Sequence, residues 1–301
     1  MSTTVDPVVA AVGRRTPKHH FWHGLRVVML RRPSRIVGAG ICALFAFLAV
    51  FGPHLYPANL PIDPTAIFQG PSSQHWLGTD FEGTDVLALL VTGTRYVLEA
   101  AAFASLFTVV IGTTVGLVAG YQRGLSDSSL MKVTDFVLTV PGFPLLIVLS
   151  TVWDFGAPAS MGLVLGITGW GGLARAVRSQ TLSLRERGFI EAARGLDLPA
   201  AHIVFRELLP NVAPYIAMSL LLTFTGFVYA EVGLFFLGVV PFTVNNWGVM
   251  LNLAVQNGAL SATSALSYLL APLVAILLLT LGVVLVLDAF DELFNPRLRE
   301  G

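Results

Sequence analysis

Residues Leu266–Leu287 read LSYLLAPLVAILLLTLGVVLVL, a run of twenty-two without one charged side chain. A helix that crosses the hydrocarbon core of a bilayer needs about 20 mostly apolar residues. A helix of that length lying on a water-soluble domain would carry a polar face, and here only Ser267, Tyr268 and Thr280 could supply one. The run is read as a transmembrane helix. The same test applied outward along the chain finds Ile36–Tyr56, Val97–Gly120, Val133–Trp153, Met161–Ser179 and Pro214–Leu237, six spans in all. Met161–Ser179 is the weakest, because it holds Gly162, Gly166, Gly169, Gly171 and Gly172 and runs into Arg175 and Arg178.

The whole composition agrees. Of 301 residues 54% are hydrophobic and 12% charged, against about 25% charged in an average soluble domain, and the mean hydropathy is +0.74. An ordinary soluble enzyme, a disordered chain and a disulfide-stapled secreted domain are excluded. Eighteen basic and eighteen acidic residues cancel, so no basic excess points to nucleic acid. The single cysteine, Cys42, excludes an internal disulfide or a cysteine-based metal cluster. Nor do the six histidines show ligand spacing: His19, His20 and His23 sit in a basic leader. No metal site is expected. The leader is also too long, and the stretch after Ile36–Tyr56 too poor a cleavage site, for a signal peptide.

Orientation follows from where Lys and Arg fall. Arg14, Arg15, Lys18, Arg26, Arg31, Arg32 and Arg35 precede the first span, and Arg123 and Lys132 lie between the second and third. Arg175, Arg178, Arg185, Arg187, Arg194 and Arg206 lie between the fourth and fifth, and Arg297 and Arg299 follow the sixth. Arg95 alone lies on the other side. Both termini are therefore expected in the cytoplasm of a cell with the chain in its plasma (inner) membrane. The expected organisation is a cytoplasmic tail 1–35, a first helix and outer loop 36–96, a five-helix transmembrane domain 97–290 holding a cytoplasmic loop 182–211, and a tail 291–301.

That cytoplasmic loop is not loop-like. In Leu184–Leu196 the residues Phe189, Ala192, Ala193 and Leu196 fall at i, i+3, i+4 and i+7, one stripe of an amphipathic helix. Arg187, Glu191 and Arg194 lie on the other side. Gly195 is placed to end the helix and Asp197 to cap a second one, Ala200–Leu209, that stops against Pro210-Asn211. A helix pair of this kind either rests on lipid headgroups or docks a soluble partner that pushes on the spans.

At these residues a resemblance enters. Glu191-Ala192-Ala193, with Leu209-Pro210-Asn211 downstream, resembles the EAA loop of ABC importer permeases, and the wider pattern is similar to the dipeptide/oligopeptide (DppC/OppC-like) permease family. His75-Trp76-Leu77-Gly78-Thr79-Asp80 with Gly83 and Asp85, Met131–Asp135 leading to Pro141, Glu231, Phe236-Leu237-Gly238, Trp247–Leu251 and Asn295–Arg299 occur in the family's order. The resemblance implies an all-α permease of the type I importer kind, with six spans and a coupling helix pair. It implies that Arg187, Phe189, Glu191, Ala192, Ala193, Gly195, Leu196, Asp197, Leu209 and Pro210 meet an ATPase. It also implies a sister permease (DppB/OppB-like), ABC ATPase subunits that bind the ATP and Mg, and an external binding protein or lipoprotein delivering di- or oligopeptides. Three positions depart from the pattern: Asp197 replaces a usual glycine, Thr84 a usual arginine, and Leu287 the glycine of a usual Gly-Asp. Asp tolerates left-handed backbone better than most residues, so the turn at 197 is expected to survive.

The chain lacks the GxxxxGK[ST] phosphate loop, so no catalytic residue and no cofactor of its own are expected. Other cargo of the same class, such as nickel chelates, fits the pattern equally, and an ion-coupled transporter would need more intramembrane charge. Of the carboxylates within spans, Asp135 is expected to snorkel or pair with Lys132, with a place on the translocation path as the alternative, Glu99 to pair with Arg95, and Asp154 and Asp288 to end their helices. Glu231, deeper in its span without a basic neighbour, either faces a translocation path or bonds a packed helix.

Overall fold

The computed structural model describes residues 32–56, 60–153 and 155–294. The basic leader with its three histidines, Asp154 and the Asn295–Arg299 motif lie outside the described residues. Among the described residues the fold is all-helical. Its elements are α1 (Pro33–Leu55), α2 (Val86–Gln122), α3 (Gly124–Thr139), α4 (Gly142–Ser150), α5 (Pro158–Arg185), α6 (Gly188–Gly195), α7 (Ala200–His202), a π-helical turn (Ile203–Leu208), α8 (Leu209–Phe236), α9 (Trp247–Gln256) and α10 (Leu266–Phe294).

Among the described residues four helical stretches are long and apolar enough to cross a membrane: α1, α2, Ala200–Phe236 and Thr263–Leu293. The pair α3 and α4 makes a fifth if read as one span, bent by 74° at their junction. Pro141 stands in that junction, and Val140 before it is extended, with φ −73° and ψ 123°, the conformation that a following proline enforces. The apolar run Val133–Trp153 is thus divided between two helices that bend at Pro141. Helix α5 has the length of a span, but its glycines and arginines keep it below the hydropathy of the others.

The centre of the bundle is the packing of α2 against α5. A Cβ placed on Gly112 would lie 3.0 Å from the Trp170 carbonyl oxygen, on Gly116 2.7 Å from that of Ala174, and on Gly120 2.6 Å from the Thr181 Cβ. From the other side Gly162 and Gly166 press onto Ala100 and Ala104. Small residues four apart let two backbones approach, which substitutes for the hydrophobic drive that lipid does not provide. The glycine-rich stretch that weakens α5 as an apolar span is what seats it against α2. Helix α8 packs on the same α2, while α1 lies outside, against α2 and α10. Ile36, Phe47, Val50, Leu277 and Leu281 turn outward from the bundle, as side chains in contact with lipid or another membrane subunit do.

At one end of the bundle Arg35, in the first turn of α1, forms a buried ion pair with Glu292, in the last turn of α10. The first and last described helices therefore begin and end on the same face. Asp288 lies within α10, which continues to Phe294, instead of ending it. At the opposite end residues 60–85 form a cap. Its turn at Gly83 (φ +81°) brings the Asp63 carbonyl oxygen to 1.8 Å from where a Cβ would be, so only glycine fits. The segment Gly238–Ala265 between α8 and α10 contains α9.

Candidate coupling site

Helix α5 runs through Leu184 to Arg185, so the short helix begins later than the periodicity suggests, at Gly188, and ends at Gly195. Its first turn carries Glu191, favourably placed at the positive end of the helix dipole. Its end is a Schellman motif: the Asp197 N–H bonds the Arg194 carbonyl at 2.9 Å, and the Leu198 N–H bonds the Ala193 carbonyl at 3.2 Å. That motif needs left-handed backbone at the residue after the C-cap, and Asp197 has φ +52°. The substitution of Asp for the usual glycine is accommodated there. Asp197 does not cap the following helix, whose N-cap position is held by Pro199 without a side-chain bond.

The two faces of α6 separate differently from the expected stripe. Ile190 and Ala193 are buried in a cluster with Leu117, Val177, Ile203, Leu208 and Val212, which roots the helix in α2, α5 and α8. Phe189, Ala192 and Leu196 face outward, with Leu196 73% exposed. Ala193 therefore belongs to the inner face and the other three to the outer. Arg187 and Glu191 are exposed beside them, and so is Gly195.

Downstream the expected break at Pro210-Asn211 is absent. Ala200–Phe236 is one continuous helix of 37 residues, because the π-helical turn lets the Leu209 N–H reach the Val204 carbonyl, and Pro210 follows where its missing N–H is absorbed. Leu209 is half-buried and Pro210 exposed on this helix. The turn 196–199 joins α6 to this helix, and Ile190 and Ala193 pack against its Ile203, Leu208 and Val212. A second tie runs to α2. The guanidinium groups of Arg185 and Arg194 lie 5.9 Å and 5.4 Å from the Tyr121 ring centroid, and Arg185 donates to the Tyr121 carbonyl at 2.6 Å. Nothing in the apolar periodicity marks Tyr121; only its place between two arginines in space does.

Asp127, Asp135 and Glu231 find partners across helices. Asp135 accepts from Arg175 of α5 at 2.6 Å, in place of Lys132 on its own helix. Asp127 takes two bonds from Arg178, at 2.5 Å and 2.6 Å. Glu99 accepts from Arg95 at 2.8 Å, the expected intrahelical pair. Glu231 is wholly buried and accepts from the Asn246 amide at 2.6 Å. In the cap His75 Nδ1 lies 2.8 Å from Asp85 Oδ2, while Asp85 Oδ1 caps α2 by accepting from the Ala88 N–H at 2.9 Å.

A family described as "Binding-protein-dependent transport system inner membrane component" matches residues 112–300. The chain belongs to this family. The matched region holds α5, α6 and every later helix. Among curated relatives, the glutathione transport system permease protein GsiD of Pectobacterium atrosepticum is 30% identical over 97% of this chain and 95% of its own length. The oligopeptide transport system permease protein OppC of Mycobacterium tuberculosis is 33% identical over 91% of this chain and 95% of its own. The dipeptide transport system permease protein DppC of Alkalihalophilus pseudofirmus is 31% identical over 88% and 86%. In fold the permease resembles an inward-facing structure of the MetNI methionine ABC transporter, with TM-score 0.53 and 22% identity over 68% of this chain and 94% of that one. The permease is thus a multi-pass, membrane-spanning and non-catalytic subunit of an ABC importer, in which ATP hydrolysis belongs to a separate subunit.

Proposed function

We propose that this permease imports short peptides and is driven through the outward Phe189–Ala192–Leu196 face of α6. It crosses the inner membrane six times, with α3 and α4 together and α5 each counting as a span, and both termini lie in the cytoplasm. Residues 1–35 and 291–301 are the tails, 36–96 the first span and outer cap, and 97–290 the transmembrane domain with coupling loop 182–211. A sister permease completes the path, partner ATPases bind the ATP and Mg, and an external binding protein delivers cargo. This chain holds no cofactor.

The observation that carries the reading is the division of α6. One side is packed into the core through Ile190 and Ala193, and the other presents Phe189 and Leu196 uncovered. An apolar face rooted on rigid helices suits the transfer of a push: closing ATPases would rock α6, and α8, continuous with the coupling segment, would swing with it. Peptide cargo is supported by the names of relatives that match most of the chain, permeases for oligopeptides, dipeptides and glutathione. All three are short peptides.

A Leu196→Cys variant in a Cys42→Ala background, oxidised or bridged in membranes of cells making the whole transporter, should cross-link to the ATPase subunit. Uptake of a labelled dipeptide should be competed by other short peptides. Absence of the cross-link would overturn the docking face, and uptake indifferent to peptides would overturn the cargo.

A further inference from the structure

At the capped end of the bundle lies a cavity of about 820 Å³, within the roughly 300–1,000 Å³ typical of small-molecule pockets. It opens between the end of α1, the cap, α9 and the start of α10, away from the coupling segment. Phe81, Phe242 and Met250 form its apolar walls, and Asp80, Glu82 and Tyr268 its polar part. Lysine, arginine and histidine are absent from the residues lining it.

Two polar groups in it are built and unused. Asp80 is 4% exposed, and its Oδ1 accepts from the backbone N–H groups of Glu82 and Thr84 at 2.9 Å and 2.8 Å. Both bonds fall on one oxygen, which leaves Oδ2 available to accept from a ligand. Tyr268 is 1% exposed, lines the cavity, and its hydroxyl bonds none of the described residues. Asp80, Glu82 and Tyr268 all line this one cavity. Burial pushes the Asp80 carboxyl above its ordinary value, the signature of a carboxylate short of counter-charge. Buried charges in proteins are ordinarily paired.

We propose that this cavity binds a primary ammonium group on a short apolar body, and that the amino terminus of a peptide cargo is the ammonium it takes. An ammonium offers three donors, matching Asp80 Oδ2, the Tyr268 oxygen and Glu82 at the rim. A divalent cation would demand six or more oxygens, or several retained waters, and the apolar walls supply neither. An aminophospholipid headgroup would bring its phosphate against two carboxylates. The cargo clause rests on the peptide reading given above; the ammonium clause does not.

The test uses the whole transporter in membranes, with Cys42→Ala and Phe242→Cys providing one thiol at the cavity wall. A trimethylammonium-ethyl methanethiosulfonate should react about tenfold faster than its sulfonate counterpart, as a partly screened attraction to two carboxylates requires. Both 2-phenylethylamine and alanyl-phenylalanine amide should slow the reaction, and N-acetyl-alanyl-phenylalanine amide should not. Asp80→Asn should abolish both the charge preference and the protection. Tyr268→Phe, which deletes an oxygen the fold does not use, should weaken protection several-fold. Equal protection by the acetylated peptide, no protection by either amine, or protection that survives Asp80→Asn would overturn the site. Protection by 2-phenylethylamine alone would overturn the cargo clause. Dipeptide uptake by the same cells reports separately on whether the permease carries peptides at all.

Discussion

The Glu231 carboxyl accepts the Asn246 amide at 2.6 Å, and the Asn246 side-chain oxygen in turn accepts the Gly248 N–H at 2.7 Å. Two bonds thus fasten the first turn of α9 to the last turns of α8. Gly248 lets the helices meet: a Cβ there would stand 2.4 Å from the Val232 carbonyl oxygen. Glu231 serves here as the acceptor that holds a helix start in a dry place.

Removing that acceptor leaves a buried amide donor unsatisfied, which costs about 1–3 kcal/mol. Glu231→Ala should lower the midpoint of thermal unfolding in detergent by several degrees and reduce transport in proportion to folded protein. Glu231→Gln retains a carbonyl oxygen at the same reach and should keep most of both. A loss of transport in Glu231→Gln at normal stability would instead give the carboxyl a part in the path.

Arg35 and Glu292 join the two ends of the described chain in a buried pair. Breaking a buried ion pair from one side destabilises by about 3–5 kcal/mol, because the other charge is stranded. Arg35→Gln and Glu292→Gln should each sharply reduce the amount of permease in the membrane, measured by immunoblot. The exchange Arg35→Glu with Glu292→Arg should restore part of it, and failure of every exchange to do so would mean that the pair matters for shape more than for charge.

Much of this arrangement can be read from residues alone, and the remainder fails for physical reasons. The apolar runs locate α1, α2, α8 and α10 because hydropathy over some 20 residues is a local property. The bend at Pro141 and the continuity through Pro210 depend on how freed backbone groups are satisfied by neighbouring turns, so two prolines of similar appearance break one helix and spare another. Periodicity marked α6 as amphipathic but assigned Ala193 to the face of Phe189, since a stripe cannot say which edge a core will claim. Asp135 joined Arg175 instead of the neighbouring Lys132 because the partner comes from another helix. Asp80, Tyr268 and Tyr121 acquire their places only when distant segments meet.

Asp80 makes the pH behaviour of the cap predictable in sign. Burial, the largest influence, raises its folded-state pKa above the ordinary 3.8, against the opposing pull of its backbone bonds. The folded cap therefore binds a proton more tightly than the unfolded chain. The stability this contributes is fully present below 3.8 and is lost as pH rises through the folded-state value. Asp80→Asn keeps an oxygen for the Glu82 and Thr84 N–H groups and carries no charge. It should flatten the pH dependence of cap stability, measured by limited proteolysis, and equal or exceed the native cap once pH has risen through the folded-state value of Asp80. An unchanged slope would show that Asp80 does not titrate in the folded cap.

The left-handed turn at Asp197 separates the geometry of the coupling segment from its chemistry. A β-branched residue at φ +52° meets a steric penalty of about 1–2 kcal/mol, whereas glycine has none. Asp197→Gly should leave uptake unchanged, and Asp197→Val should loosen the end of α6 and lower uptake while the protein still inserts. Glu191→Arg acts otherwise. Its side chain is exposed and contributes little to folding, yet the substitution places a cation where a carboxylate would face the ATPase. Membrane level should hold, peptide uptake should fall to background, and ATPase activity of the purified complex should no longer respond to cargo. Normal uptake in Glu191→Arg, beside impaired uptake in Asp197→Val, would confine the role of the loop to shape and remove its outer face from the coupling contact.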